Sequence, residues 1–550
     1  MDDQEGIEGT SHVIECKLAS LKNIKDTRVI EGSDNITLNY PAYINDESKL
    51  AGGSADKLFF PRTEGEISAI MQHARENSYR VYVNAARTGI TGSAVPLGGI
   101  LINTEKMDGF KGLGFDEKRG IYYARLGPGI TLNALKDLLL LRKFNGVEEL
   151  TAGVIDKIKS EEFPPYYPMD PTEMSATIGG TVATNASGAR TFKYGPTRDW
   201  VRKLKVVLSN GDLLEIPRGK YLASEEGSFT IKTTGGTDIK FIIPTYTIPK
   251  AKNAAGLFTK PRMDLIDLFI GTEGIFGVIA EVDVWLMPWH PVISNILFFK
   301  AEIDALDFVD KIRKTKGNLP EFLEFIGQRG LEILKGIQAE DPKIIDMPSI
   351  PDDARSAIIF DLEYSEEKLS DSFLDIGKIA ESCNTRLENS WSGYEDRERA
   401  RFKHFRHALP ETVNNIIAAK KREYPELHKL GTDMSVTDEF LKEMMTFYHS
   451  VLDEAGLDYV IFGHIGDNHV HVNIIPHNME ELEKGKKIYS KFAKKAIECG
   501  GSVSAEHGIG RIKKDYLEIM FGKEGIEQMK AVKNALDPGK MMNIGNIFDV

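Results

Sequence analysis

The chain has 550 residues, 41% of them hydrophobic and 27% charged, which excludes a single compact core and predicts a soluble globular protein of two or three domains. Its formal net charge of −13 argues against nucleic-acid backbones and anionic membranes as broad partners, while leaving room for a local cationic pocket for a small anion. Three scattered cysteines, Cys16, Cys383 and Cys499, make no disulfide framework or cluster motif, and neither a signal-peptide pattern nor a spanning apolar run is present, so a cytoplasmic, non-transmembrane protein is expected.

Residues 1–54 read as a lead-in with one short helix. LFFPRTEGEISAIMQHARENSYRVYVNAAR (58–87) then reads strand, helix, strand. Thr63 caps that helix with Glu66 three residues on, and Ile67, Ile70, Met71 and Ala74 share a face. Strands are also expected at ILIN (100–103), IYYARLG (121–127), KLKVVLSNG (203–211) and DLLEIP (212–217). The stretch 218–265, rich in Gly, Thr, Lys and Pro, reads as a surface excursion. DLFIGTEGIFGVIAEVDVWLMP (267–288) is interrupted by Glu273, Glu281 and Asp283 and reads as buried strands rather than a membrane span.

Three glycine clusters punctuate this half. RTGITGSAVPLGG (87–99) follows a strand, and its glycines let backbone N–H groups approach an anion, although a plain turn explains this loop equally well. DPTEMSATIGGTVATNASGARTFKYG (170–195) sets Gly179 and Gly180 at a helix start, followed by small residues through Ala183 and then Gly188, a surface able to lie against a flat ring or a pyrophosphate. FIGTEGIFGVI (269–279) adds Gly271, Gly274 and Gly277 around Glu273. None is GxGxxG or a P-loop, but three together suggest an extended dinucleotide.

Near residue 290 the texture changes to long amphipathic helices such as 303–316 and strands such as AIIFDLEY (357–364), marking a domain boundary. RFKHFRHALPETVNN (401–415) is a basic helical stretch, and HKLGTDMSV (428–436) supplies Lys429; such charges ordinarily form a solvated face. GHIGDNHVHVN (463–473) places three of the chain's 12 histidines in eight positions. YVIFGH and HVHVNII flank its turn as two strands, and period two puts His469, His471 and Asn473 on one face. A helix over about 479–498 follows, capped by Asn478 and Glu481 and stopped by Gly500–Gly501, and a strand leads on to Glu506 and His507. A histidine hairpin beside a carboxylate fits a three-ligand metal site with an open position, and it also fits solvated histidines.

These glycine clusters, with GHIGDNHVHVN, SAEHGIG (504–510) and DPGKMMNIGNIF (537–548), resemble the FAD-linked oxidoreductases of the vanillyl-alcohol oxidase type, in the D-lactate dehydrogenase, glycolate oxidase and D-2-hydroxyglutarate dehydrogenase branch. The resemblance covers residues 55–550 and implies an α+β fold. A two-subdomain FAD-binding domain would span 55–289, a substrate domain with an antiparallel sheet covered by helices 290–535, and a segment packing back on the FAD domain 536–550. By that likeness Arg87, Thr88, Gly89, Ile90, Thr91 and Gly92 hold the FAD pyrophosphate. Gly179, Gly180, Ala183, Asn185 and Gly188 line flavin and phosphates, and Glu273, Gly277 and Val278 run along the cofactor. The family has a glycine triplet where this chain has Ala85, Ala86 and Arg87, and Arg87 is offered as a phosphate partner. With no His or Cys in the FAD loops, non-covalent FAD is expected.

The same likeness makes His464, His471 and Glu506 ligands of one divalent ion (Zn, Mn or Fe) and His507 the general base. It makes Arg406, Lys429 and Asn473 substrate-binding residues, Arg suiting a carboxylate fork. Asn468 and His469 stand where the family favours Gly and Asn, which leaves His469 as a supporting group or an additional ligand. Pro410 stands where relatives handling dicarboxylic acids carry a hydroxyl, which tips the expectation towards D-lactate over D-2-hydroxyglutarate, with glycolate a further alternative. The expected partners are a small 2-hydroxy acid and an external electron acceptor such as an electron-transferring flavoprotein or a separate iron–sulfur subunit, with room for a homodimer and no nucleic acid. A metal-dependent hydrolase is the competing reading, and it leaves the glycine clusters unexplained.

Overall fold

A computed structural model of the chain describes residues 27–315, 320–365 and 369–550. The first 26 residues of the lead-in, with Cys16, lie outside them. What is described of the lead-in includes the expected short helix, Ser33–Asn39, and an edge strand, Arg28–Glu31, that pairs antiparallel with Lys57–Phe60.

That pair opens a four-stranded sheet completed by Ile100–Asn103 and Val81–Asn84, whose strands run parallel to Lys57–Phe60. The parallel pairing needs a crossover, and helix Glu64–Glu76 supplies it. Thr63 Oγ1 accepts from the Glu66 amide at 3.2 Å, and Ile67, Ile70, Met71 and Ala74 are all buried against the sheet.

A second sheet is centred on the long strand Val278–Pro288, flanked by Val201–Val207 and Ile121–Leu126. Glu281 and Asp283 are buried in this strand because each finds cations: Lys111 at 2.9 Å and Lys205 at 3.4 Å for Glu281, Arg125 at 3.1 Å and Arg202 at 3.2 Å for Asp283. The reading of 267–288 as strands therefore holds only for its second half. Leu265–Phe269 is helical, and Gly271 and Gly274, at φ 87° and 78°, turn the chain between helix and strand.

The third sheet has seven strands, all paired antiparallel: Ser390–Gly393, Val292–Phe299, Ser356–Glu363, Glu324–Gly327, Tyr459–His464, His469–Ile474 and Leu430–Gly431. Period two sorts its two faces. Leu297 and Phe299 pack with helices Glu302–Arg313 and Leu441–Ala455, while Ile296 and Phe298 pack with helices Gln328–Gln338 and Asp396–Lys420. The α+β class stands.

Two expectations change. Only part of 218–265 is an excursion: Ser228–Lys232 and Asp238–Ile242 form a separate hairpin, whereas 252–255 turns inward, Ala254 and Ala255 are buried, and the Ala254 amide donates to Ser504 O at 2.9 Å. The polar composition hid this dip. Between Gly501 and Glu506 there is no strand, only a bridge of Ser435 to Ser502.

The C-terminal segment returns across the chain. Val81 N donates to Met541 O and Asn543 N to Val81 O, both at 2.8 Å, and Asn543 Nδ2 reaches Glu273 O at 2.7 Å.

Candidate active site

A cavity of about 380 Å³ runs between the first two sheets and ends at Glu506 and His507. Its wall includes Arg87, Thr88, Gly89, Ile90, Gly179, Gly180, Ala183, Glu273 and Gly277. The amides of Thr88, Gly89 and Ile90 donate to no acceptor among the described residues, and a Cβ on Gly89 would approach no atom nearer than Ser93 Oγ at 3.9 Å. Bare, undonated amides lining a long slot are what a pyrophosphate requires, so the residues fit FAD.

Thr91, Gly92, Asn185, Gly188 and Val278 do not line this cavity. Thr91 is buried under the turn at Gly510, Asn185 Oδ1 accepts from Arg198 N at 3.0 Å, and Val278 belongs to the core. Gly188 closes against Asp170, whose carbonyl a Cβ there would meet at 2.0 Å. Arg87, at φ 60°, reaches the wall but is already engaged. Its guanidinium donates to Ala85 O, lies 3.8 Å from Glu105 and covers the Tyr43 ring at 4.6 Å. Its engagement weakens the expectation of a phosphate contact.

The histidine hairpin forms in register, His464 opposite His469 and Phe462 opposite His471. Asn468 closes the turn at φ 53°, a left-handed position that asparagine tolerates. His464 Nδ1 bonds to Glu324 and His471 Nδ1 to Thr432 O at 3.0 Å, while His469 Nε2 stands 3.0 Å from Asp433 Oδ1 without the geometry of a hydrogen bond. The other nitrogens face inward, and ligand atoms of His464, His469, His471 and Glu506 lie within 4.8 Å of one another. His464 Nε2 is 3.2 Å from Glu506 Oε1. Nitrogen and carboxylate donors with protein-fixed tautomers suit a divalent ion, so the donor set fits a metal. Burial, with His469 and His464 alongside, pushes the His471 pKa down to about 3, which keeps it a neutral donor, whereas Glu324 and Glu506 overcome burial and push His464 up to about 9, so a divalent ion there would displace its proton.

Three residues absent from the sequence reading organise this cluster. Burial opposes charge on Glu324, but Arg406 and His464 overcome it and hold the carboxylate down at about 2. Asp433 receives the amides of Glu506 and His507 at 3.2 and 3.1 Å, Ser504 Oγ at 2.8 Å and Lys513 Nζ at 2.6 Å. Its Oδ2 also lies 3.0 Å from His507 Nδ1, which directs that ring's Nε2 away from the carboxylate. Lys252, from the inward dip, places its buried ammonium 2.5 Å from Glu506 Oε1 and 3.2 Å from Gly188 O. A lysine followed by Asn-Ala-Ala-Gly inside a polar excursion was the available signal for it.

Arg406 is not solvated: it faces Glu324 at 3.4 Å from within helix Asp396–Lys420, which continues through Pro410. Lys429 is partly buried with no ion pair among the described residues, and burial lowers its pKa. Asn473 is buried beside Gly431 in the edge-strand pair. Glu273 spans the two regions, its carboxylate accepting from Ile509 N at 2.7 Å and Gly510 N at 2.8 Å; burial raises its pKa to about 7 against the pull of those amides.

A profile described as the FAD binding domain matches residues 55–153 and 165–217, and one described as the FAD linked oxidases' C-terminal domain matches 292–547. The chain belongs to the FAD-linked oxidases. Among curated relatives, this FAD-linked oxidase is 28% identical to the glycolate oxidase subunit GlcD of Bacillus subtilis, with 94% of each chain covered. It is 28% identical to a D-lactate dehydrogenase of Anaerostipes hadrus, with 96% of each covered. A D-2-hydroxyglutarate dehydrogenase of Stutzerimonas stutzeri is 26% identical, over 96% of this chain and 97% of the relative. Substrate-bound p-cresol methylhydroxylase shares the fold, with a TM-score of 0.60 at 14% identity over 98% of this chain and 97% of that one. The architecture is of the vanillyl-alcohol oxidase type. No helix among the described residues is long and apolar enough to cross a membrane.

Proposed function

We propose that this FAD-linked oxidase is a dehydrogenase that oxidises a D-2-hydroxy acid of lactate size to the 2-oxo acid, with FAD held non-covalently and one divalent ion (Zn, Mn or Fe) at His464, His471 and Glu506. The observation that carries the reading is that Glu506, whose carboxylate lies within 4.8 Å of ligand atoms of His464 and His471, lines together with His507 the same cavity as the glycine loops. The names of the relatives agree on hydroxy-acid oxidation and differ on the acid.

When bound, FAD accepts the Cα hydride and the ion lowers the pKa of the substrate hydroxyl. The remaining steps belong to this chain. His507 Nε2 takes the hydroxyl proton, while Asp433 holds Nδ1–H and stabilises the imidazolium that forms. The proton on His507 and the hydride on the cofactor account for both hydrogens lost from the acid. Lys429, free of ion pairs among the described residues, receives the substrate carboxylate together with Arg406, which turns from Glu324 to do so. Asn473, on strand His469–Ile474 beside the edge strand, is assigned to support this end of the site. The two electrons would leave through an external acceptor. Loops 85–90 and 176–187 carry neither histidine nor cysteine, which supports a non-covalent cofactor.

The test is anaerobic mixing of the FAD-loaded protein with D-lactate, L-lactate, glycolate and D-2-hydroxyglutarate in turn, following flavin absorbance. Rapid bleaching by D-lactate above the others is expected. Bleaching by none of them, with FAD bound, would refute the reaction class.

A further inference from the structure

We infer that His469 is a fourth protein ligand, so that the ion is held by three imidazoles and one carboxylate rather than by two and one. The inference rests on the metal site of the proposed function. His469 is fully buried, and neither of its ring nitrogens makes a hydrogen bond of good geometry. Its Nε2 nevertheless lies 3.0 Å from Asp433 Oδ1, on a carboxylate that already accepts from Lys513, Ser504 and two backbone amides, so the ring proton belongs on Nε2 and Nδ1 presents a lone pair. That lone pair faces Glu506 Oε1 at 3.9 Å, beside His471, whose ring centre is 4.5 Å away.

Two acceptors facing each other in a buried space repel unless a cation lies between them. Lys252 Nζ is bonded to Glu506 Oε1, but no bond joins it to His469, whose Nδ1 remains orphaned. A divalent ion satisfies the imidazole lone pairs and the carboxylate together. Donor atoms on one ion with bonds of ~2.1 Å sit about 3.4 Å apart in a tetrahedral set. The 3.2 Å and 3.9 Å separations of the His464 and His469 nitrogens from Glu506 Oε1 bracket that value. The hairpin register then explains why His469 and His471 both serve: two residues apart on one strand, they share a face.

Asp433 gives the fourth ligand a consequence. One carboxylate orients His469 through Oδ1 and His507 through Oδ2, so ligand and base are set by the same group.

The experiment uses full-length, FAD-loaded protein stripped of metal and titrated with Co²⁺ alone, following visible absorption and affinity, together with X-ray absorption at the Co edge to count imidazoles. Wild type is expected to show three imidazoles. His469→Asn is expected to show two, a changed Co²⁺ spectrum and affinity at least about tenfold weaker. Two imidazoles in wild type, or a His469→Asn spectrum and affinity equal to wild type, would overturn the fourth ligand while leaving the metal site standing. If His469→Asn does not fold, the wild-type imidazole count decides alone. His471→Ala separates the two claims, because Co²⁺ binding unaffected by that variant overturns the metal site itself.

Discussion

Asp433→Asn is the substitution that most sharply separates positioning from mere stability. The carboxylate offers two oxygens: Oδ1 faces His469 Nε2 and the Glu506 amide, and Oδ2 faces His507 Nδ1, the His507 amide, Ser504 Oγ and Lys513. Asparagine keeps one oxygen and replaces the other with an N–H₂ donor. Placed at Oδ2, that donor meets His507 Nδ1–H and forces the ring's proton to Nε2, which silences the base. Placed at Oδ1, it does the same to His469. At least two charge-assisted contacts are lost in either orientation, at about 1.5–3 kcal/mol each. At 1.36 kcal/mol per decade this predicts a rate of flavin reduction lower by roughly 10²–10⁴-fold. The assay is single-turnover bleaching of bound FAD by D-lactate in stopped flow, with flavin content measured on the same sample. Lys513 loses its buried counter-charge, so a lower Tm is expected too, and the rate is compared below both transitions. A folded, FAD-loaded Asp433→Asn that reduces its flavin within about threefold of wild type would refute the positioning role.

Glu273 gives a pH dependence of defined sign. Its folded pKa of about 7 exceeds the ordinary 4.5, so its contribution to stability is full below 4.5 and is lost as pH rises through 7, about 3 kcal/mol in all. Glu273→Gln should flatten the fall in Tm between pH 5 and 8, and an unchanged slope would assign that fall elsewhere. Arg406→Ala and Lys429→Met should each lower kcat/KM by about 2–3 kcal/mol equivalent, Arg406→Lys recovering only part, with unchanged kcat/KM in both dismissing the cationic carboxylate site. A chelator should abolish turnover while the flavin spectrum persists, because His464 and His471 sit on a different sheet from the glycine loops; loss of flavin along with activity would contradict that separation. Acid precipitation should release the yellow colour to the supernatant, and colour in the pellet would mean a covalent bond.

What the sequence disclosed is what local periodicity encodes. The hairpin was legible because alternation over His469, His471 and Asn473 needs no partner strand to be recognised. Helix Glu64–Glu76 was legible from Thr63 and Glu66. Glu324 and Asp433 were not, since each is a lone carboxylate whose partners come from elsewhere: His464 meets Glu324 from 140 residues on, and Lys513 meets Asp433 from 80 residues on. Glu324 did leave a trace, a charge at the start of the wholly buried strand Glu324–Gly327. Lys252 was hidden by composition, because Lys, Thr and Pro around it mark a surface loop on average and say nothing of one inward dip. The contact of Arg406 with Glu324 was hidden as well, its carboxylate lying on a strand that the helix sequence cannot report.

The turn Glu506–Gly510 shows why both halves of the chain are needed for one site. Gly508 and Gly510 take φ 74° and 52°, and a Cβ at Gly510 would stand 2.1 Å from Thr91 O, so the turn can lie against the wall of the FAD cavity only as glycine. Glu273, on the FAD side, clamps the amides of Ile509 and Gly510, while Asp433, on the substrate side, clamps those of Glu506 and His507. The backbone that carries Glu506 and His507, the carboxylate and imidazole proposed for the chemistry, is thus fixed through its amides from two directions.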